Sequence, residues 1–218
     1  MPNVAIFGGT FDPIHWGHLL IAETALDQFH LDRVIWVPTF CPPHKVPPLV
    51  SFKHRLAMLS SAIADQPAFN VSTIDSQQQG TSYAVETFNA LQTLEPNACW
   101  YWIVGNDAFH SLPKWKDSQA LAAQCTWLVA PRVQEQRGKR AARESREIGN
   151  NHPKASTLPP YSHLTPPSAL IWHHLEMPSI EISSSLIRQR CQDGRSIRYL
   201  VPESVRCYIT EKLLYQMS

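Results

Sequence analysis

The chain reads as an α/β protein: a doubly wound parallel sheet with a small helical part at its C-terminal end. Two observations predict this. Apolar, strand-like runs alternate with helix-period segments through the first 130 residues, and most of those runs are apolar on both faces, as strands covered by helices on either side must be. Composition permits such a core, because 44% of the 218 residues are hydrophobic and only 17% are charged.

Residues 4–7 form a short apolar run stopped by Gly8-Gly9, a buried first strand. Leu19, Ala22, Leu26 and Phe29 recur at helical spacing and predict a helix over 15–29. Residues 34–37 make a second strand, ended by a proline cluster. Ser51 can cap a helix carrying Leu56, Leu59 and Ile63 that stops before Pro67. Residues 69–74 are strand-like. Thr81 or Ser82 then precedes a helix with Val85, Phe88, Leu91 and Leu94 on one face, closed by Pro96. Residues 100–104 are aromatic and β-branched, hence another strand. Asp117 can cap a helix reaching Gln124, and a strand follows over 126–130. Residues 169–172 can form the last strand. Ser183 opens a helix through Cys191 with Gly194 at its C′ position, and Pro202 starts a terminal helix to about Leu214. Residues 1–182 therefore form the α/β domain, and 183–218 a C-terminal helical segment.

Residues 131–168 interrupt the alternation. Arg137, Lys139, Arg140, Arg143 and Arg146 outweigh Glu144 and Glu147, and the part from His152 onward is rich in Pro, Ser and Thr. This composition predicts a surface insertion, either a solvated loop or a basic lid over an anionic ligand.

Several function classes are excluded. Nineteen Lys and Arg balance 18 Asp and Glu, so no basic excess exists to coat a nucleic acid. No run approaches the roughly 20 apolar residues of a membrane span, and the N-terminus lacks the pattern of a signal peptide. Cys41, Cys99, Cys125, Cys191 and Cys207 are scattered and odd in number, with no C-x-x-C. A reduced, cytoplasmic protein is expected, with no disulfide framework and no zinc site.

Parallel sheets bind ligands at the carboxyl ends of their strands, so the loops after Phe7, Val37 and Val104 are the places to look. Only 8 residues are glycine against 18 proline, yet Gly8, Gly9 and Gly17 fall in one short stretch. It reads Gly8-Gly9-Thr10-Phe11-Asp12-Pro13-Ile14-His15-Trp16-Gly17-His18. A strand, a glycine turn and a helix point backbone N–H groups at an anion. Gly8 and Gly9 let the main chain approach a phosphate, and Gly17 leaves room over the first helical turn. His15 and His18, three apart at a helix start, project from one face. Two histidines are too few for a metal site, and no third ligand is evident nearby.

This stretch resembles the nucleotidyltransferase superfamily with the (H/T)-x-G-H signature, and its wider text resembles the bacterial-type nicotinate mononucleotide (nicotinate-nucleotide) adenylyltransferase branch. The resemblance continues along the chain. Pro42-Pro43-His44-Lys45 is similar to that family's P-P-H-K loop, and Ser82-Tyr83-Ala84-Val85-Glu86-Thr87 to its S-Y-T-x-D-T segment. Ile103-Val104-Gly105-Asn106-Asp107 resembles its I-x-G-x-D loop, Leu112-Pro113-Lys114-Trp115-Lys116 its aromatic segment, and Ile182-Ser183-Ser184-Ser185-Leu186-Ile187-Arg188 its I-S-S-T-x-I-R. Ala84 stands in place of the family's Thr, Glu86 in place of Asp, and Val133 follows Arg132 where Pro-Gly is usual.

The resemblance implies a Rossmann-like nucleotidyltransferase fold and transfer of AMP from ATP to nicotinate mononucleotide, giving nicotinate adenine dinucleotide and pyrophosphate in NAD biosynthesis. It implies that His15, His18, Lys45 and Arg188 are catalytic, with the histidines held protonated by the phosphates. Gly8, Gly9, Thr10, Phe11, Gly17, Gly105, Asp107, Ser183 and Ser185 are expected to bind ATP, so that the C-terminal segment completes that site. Ser82, Tyr83, Ala84, Trp115, Lys116 and Arg132 are expected to bind the mononucleotide, backbone amides around Thr81-Ser82-Tyr83 taking the nicotinate carboxylate. Mg²⁺ is expected on the phosphates rather than in a protein cage. The expected partners are those two small molecules, with neither nucleic acid nor membrane, and a homo-oligomer left open. Alternatives are nicotinamide mononucleotide as acceptor, another nucleotidyltransferase of the same fold, or a non-catalytic nucleotide-binding regulator.

Overall fold

Parallel strands need long crossovers, and in this chain most crossovers carry a helix. The computed structural model describes residues 1–42, 47–77, 80–131, 170–178 and 180–216. Its strands are β1 (Asn3–Gly9), β2 (Arg33–Pro38), β3 (Phe69–Val71), β4 (Cys99–Gly105), β5 (Thr126–Ala130) and β6 (Trp172–His174). They form one six-stranded sheet in the order β3-β2-β1-β4-β5-β6, with every pairing parallel. The chain moves outward from β1 to β3, then crosses back to β4 on the other side of β1. That reversal leaves a crevice at the carboxyl ends of β1 and β4.

Helices α1 (Trp16–Gln28), α2 (Phe52–Ala62), α3 (Ile74–Gln77), α4 (Ala84–Leu94), α5 (Asn106–Ser111), α6 (Ser118–Ala122), α7 (Ser184–Gln192) and α8 (Glu203–Glu211) cover the sheet. Side chains along each strand alternate between two cores. Ala5, Phe7, Val34 and Trp36 pack with α1, α2, α7 and α8, through Ala22, Leu59, Ile187 and Val205. Val4, Ile6, Trp102 and Trp127 pack with α4, α5 and α6, through Phe88, Phe109 and Leu121. The C-terminal helices thus share a core with α1 and α2.

The fold class is the predicted one, and local differences have local causes. The strand expected over 69–74 ends at Val71, and Ile74 begins α3 instead. Ser76 donates to the Thr73 carbonyl from both its N–H, at 2.9 Å, and its hydroxyl, at 2.7 Å, which turns the chain. Helix α4 starts at Ala84 with Tyr83 as N-cap, one residue after Ser82 and two after Thr81, the residues expected to precede it. Ser82 is engaged elsewhere: its N–H donates to the Cys41 carbonyl at 2.9 Å and its Oγ accepts from the Cys41 N–H at 3.0 Å. The last strand is Trp172–His174 because Trp172 pairs with Trp127 and His174 with Val129. Helix α6 ends at Ala122 rather than Gln124, and α8 at Glu211 rather than Leu214. Leu213 and Tyr215 then take left-handed backbone angles, φ 50° and 62°, and Leu214 and Tyr215 turn back into the core. Apart from Pro131, the 131–168 insertion lies outside the described residues.

Trp127, on β5, is fully buried and stacks on Trp102 of β4. Trp127→Ala is expected to cost about 3–5 kcal/mol in urea denaturation. Leu94→Ala, at a side chain 71% exposed, is expected to change stability by less than about 0.5 kcal/mol.

Candidate active site

Residues 10–15 connect β1 to α1 without regular structure, so their carbonyls need partners from elsewhere. Arg55 Nη1 donates to the Thr10 carbonyl at 2.7 Å, Arg188 Nη1 to that of Asp12 at 2.8 Å, and Ser184 Oγ to that of Pro13 at 2.8 Å. These donors come from α2 and α7. The buried Asp12 carboxylate accepts from the Leu49 N–H at 2.8 Å through Oδ2 and from the Tyr215 hydroxyl at 2.7 Å through Oδ1. Burial lowers the affinity of Arg55 for its proton, and the Asp12 carboxylate opposes that shift. The loop is therefore held by Arg55 from α2, by Ser184 and Arg188 from α7 and, through its own Asp12 carboxylate, by Leu49 and Tyr215.

The clamp aims the histidines. His15 is the N-cap of α1, with extended backbone, and His18 lies one turn on. Their rings stack with centroids 3.7 Å apart and planes 24° from parallel. Among the described residues neither Nδ1 has a hydrogen-bond partner, and both atoms are buried. Desolvation lowers His15 to about 4, and desolvation followed by the charge of His15 lowers His18 well below its ordinary value. The protein alone thus holds two neutral imidazoles at neutral pH. The expectation of protonated histidines concerns rings beside bound phosphates; without that charge, burial sets the direction of both shifts. Phosphates act in the opposite direction and must offset that desolvation.

The glycines serve different neighbours. A Cβ on Gly8 would meet nothing within 4 Å, whereas one on Gly9 would stand 2.9 Å from the Phe11 ring. Phe11, at φ 49°, turns its side chain into the core against Phe7, Trp36 and His18. A Cβ on Gly17 would stand 3.0 Å from His15 Cε1 and Nδ1. Gly17 therefore makes room for the His15 ring, where the sequence suggested room for a ligand.

A cavity of about 750 Å³ opens at the switch point, within the usual range of roughly 300–1,000 Å³ for cofactor and small-molecule sites. From the set expected to bind ATP it brings together Gly8, Gly9, Thr10, Gly105 and Asp107. From the set expected to bind the mononucleotide it brings together Ser82, Tyr83, Ala84, Trp115 and Lys116. Phe11, His15, Gly17, His18, Ser183, Ser185 and Arg188 are not on its wall; they cluster at the start of α1 and of α7. Ser183 Oγ caps α7 by accepting from the Leu186 N–H at 3.2 Å, and Ser185 Oγ accepts from Arg188 Nη2 at 3.2 Å. Lys45 and Arg132 lie outside the described residues, as do Pro43, His44 and Val133.

On the Ser82–Trp115 side of the cavity, Trp115 packs edge-on against Trp102 and Trp127 and donates from Nε1 to Ser111 Oγ at 3.1 Å. Lys116 pairs with Glu86 at 2.7 Å and lies 4.5 Å over the Tyr83 ring. Of the amides around Thr81-Ser82-Tyr83 that the sequence assigned to a carboxylate, the Ser82 N–H is already engaged by the Cys41 carbonyl. The amides of Ala84 and Val85, in the first turn of α4, have no place in the intrahelical ladder. Buried Asp75 also lines the cavity and accepts a hydrogen bond from the Thr87 hydroxyl, with its proton affinity raised by burial.

The model of the cytidylyltransferase-like family matches residues 6–190. A protein of Trichormus variabilis named "Probable nicotinate-nucleotide adenylyltransferase" is 47% identical over 218 residues, covering 99% of this chain and 98% of its own. A Geobacillus thermodenitrificans protein of the same name is 37% identical over 216 residues, covering 99% and 87%. The chain belongs to the nicotinate-nucleotide adenylyltransferase branch of the cytidylyltransferase-like family. A solved structure of the Plasmodium falciparum nicotinic acid mononucleotide adenylyltransferase, complexed with NaAD, overlays with a TM-score of 0.72 at 19% identity. It covers 99% of this chain and 98% of that one, so the two share a fold. Among the described residues no helix is long and apolar enough to cross a membrane.

Sequence reasoning missed Asp12, Arg55, Asp75 and Tyr215 as parts of this site. One signal was available for Arg55. It falls at helical spacing with Met58, Leu59 and Ala62, which places a charge on the buried face of α2. Nothing in the local sequence couples Tyr215 to Asp12, 203 positions away.

Two outcomes follow. Below about pH 6.5 the unfolded chain takes up protons at His15 that the native state refuses until about pH 4. Stability is therefore fully present above 6.5 and falls as the pH drops toward 4, by roughly 3 kcal/mol for this group. His15→Asn should flatten that part of the Tm-against-pH curve. Gly17→Ala should fold with near wild-type Tm, because alanine favours the helix by up to about 1 kcal/mol. Turnover should nevertheless fall about tenfold or more as the His15 ring is displaced, read by steady-state kinetics.

Proposed function

We propose that this protein transfers the adenylyl group of ATP to nicotinate mononucleotide, releasing pyrophosphate. The observation that carries the reading is the cavity at the switch point, which joins the Gly8-Gly9 turn, at the head of the loop that leads to His15 and His18, to the Ser82–Ala84 and Trp115 wall. It is supported by relatives bearing that name at 37–47% identity over nearly the whole chain.

The 5′-phosphate of the mononucleotide attacks the α-phosphorus of ATP in line, a new P–O bond forms, and the bond to pyrophosphate breaks. Such a transfer needs positioning and charge stabilisation rather than a covalent nucleophile. The open space above Gly8 admits a phosphate to the backbone. In this reading His15 and His18 donate N–H groups to the phosphates, and the incoming negative charge offsets the burial that keeps them neutral. Arg188 buttresses the loop through Asp12 and adds positive charge at the start of α7. Lys45 adds a point charge to the phosphates. Asp107 faces the nucleotide from the first turn of α5, and the Trp115 ring borders the pyridine. The unused amides at the start of α4 receive the nicotinate carboxylate. Among the described residues no group of three or more His, Cys, Asp or Glu side chains could hold a metal ion, and in this reading Mg²⁺ arrives on the phosphates of ATP.

Incubation with Mg-ATP and either nicotinate or nicotinamide mononucleotide, with dinucleotide and pyrophosphate measured, tests this directly. Faster product formation with nicotinate is expected; equal rates would remove the acceptor assignment, and no product with either would remove the enzymatic one. His18→Asn should lower turnover by about 10²-fold or more, and a near wild-type kcat would overturn the role given to that ring.

A further inference from the structure

Tyr215 sits beyond the last helix and does not line the cavity, yet it is tied to the middle of the β1–α1 loop. Its side chain is 7% exposed, and its hydroxyl donates to Asp12 Oδ1 at 2.7 Å. The other carboxylate oxygen of Asp12 accepts from the Leu49 N–H at 2.8 Å, on the far side of the loop that follows β2. One carboxylate therefore joins three segments: the glycine-turn loop, the chain leading into α2, and the C-terminal turn.

The C-terminal turn is built to deliver that hydroxyl. Leu213 and Tyr215 both hold left-handed backbone angles, φ 50° and 62°, which bulky residues adopt only where their surroundings impose them. The Leu214 N–H donates to the Ile209 carbonyl at 3.0 Å, closing α8, and the Leu214 and Tyr215 side chains enter the core shared by α1, α2 and α8. Burial first, and then the Asp12 carboxylate, push the phenol far above its ordinary range, so it remains a donor at any working pH. Arg55 and Arg188 are the cations that face this pair, acting on Asp12 and on Tyr215 from α2 and α7.

We propose that Tyr215 is a positioning residue for adenylyl transfer, holding the His15–His18 loop and the segment at Leu49 in register through the Asp12 carboxylate. Without the hydroxyl, one oxygen of a buried anion loses its donor, and the carboxylate can rotate away from the Leu49 N–H or draw in water. Either movement changes the loop that aims the histidines while leaving the Ser82–Ala84 and Trp115 wall of the cavity intact. The predicted signature is lower turnover with little change in substrate affinity.

The kinetic part of the test rests on the adenylyl-transfer reading; the exchange part does not. Tyr215→Phe keeps the ring and its packing and removes only the O–H. Amide hydrogen exchange of the full-length variant, without nucleotides, should quicken in segments 8–18 and 47–52 and remain unchanged in β4 and β5. In the transfer assay kcat should fall about tenfold, as expected for a hydrogen bond to a charged group, with KM for each substrate within about twofold. Asp12→Asn should produce a similar loss, and the double variant should be no worse than the more impaired single one, because both remove the same contact. Exchange in those two segments at the wild-type rate would overturn the proposal. So would an unchanged kcat in an active enzyme, or losses that multiply in the double variant. A wild-type protein with no transfer activity would overturn the functional reading alone, and the exchange result would still decide whether Tyr215 holds the loop.

Discussion

A short stretch of irregular backbone between β1 and α1 has to be held rigidly without a ladder of its own, and a buried charge network does it. Arg55 and Asp12 are each nearly inaccessible to solvent, at 1% and 4% exposure. Neither is tolerable alone, because an unpaired buried charge carries a large desolvation cost. Arg55, Arg188 and Ser184 satisfy three loop carbonyls, and Tyr215 and the Leu49 N–H satisfy the two oxygens of the Asp12 carboxylate. The polar atoms that make this loop expensive to bury also specify its shape.

The histidine pair depends on that network. Two imidazoles stacked at 3.7 Å repel each other when charged unless an anion offsets them, and in the protein alone burial keeps them neutral. The arrangement stores a capacity to gain protons and hydrogen-bond partners when negative charge arrives. Gly17 takes part by absence: without a side chain, it leaves the volume that the His15 ring fills. The sheet supplies the rest. Reversal of strand order between β1 and β4 opens the cavity beside the loop, and the second aromatic core, from Trp102 to Trp127, stiffens its opposite wall.

Much of this was legible in the residues. Apolar runs covered on both faces announced a parallel sheet, and the Gly8-Gly9 turn pointed to the end of it where the cavity opens. Errors fell where local bonding competed with periodicity. Ser76 bonding back to Thr73 ended β3 early, and the Ser82–Cys41 exchange moved the start of α4. Arg55 was legible in principle, since its spacing with Met58 and Leu59 puts it on a buried face. The direction of the histidine shifts was not, because it depends on burial, and no local pattern reports how deeply a ring is covered.

By itself, the sequence determined the alternation of elements, the two-sided burial of the strands, and the residue types gathered at their carboxyl ends. Periodicity and turn chemistry are local, and each can be read within a window of a few residues. Only the tertiary structure decided which distant groups meet. It set Tyr215 against Asp12 across 203 positions, aimed Arg55 at the Thr10 carbonyl, and gathered Gly8, Ser82, Gly105 and Trp115 around one cavity. Those contacts arise because buried charges and unpaired carbonyls must find partners wherever the fold brings one within reach, and sequence distance places no limit on that search.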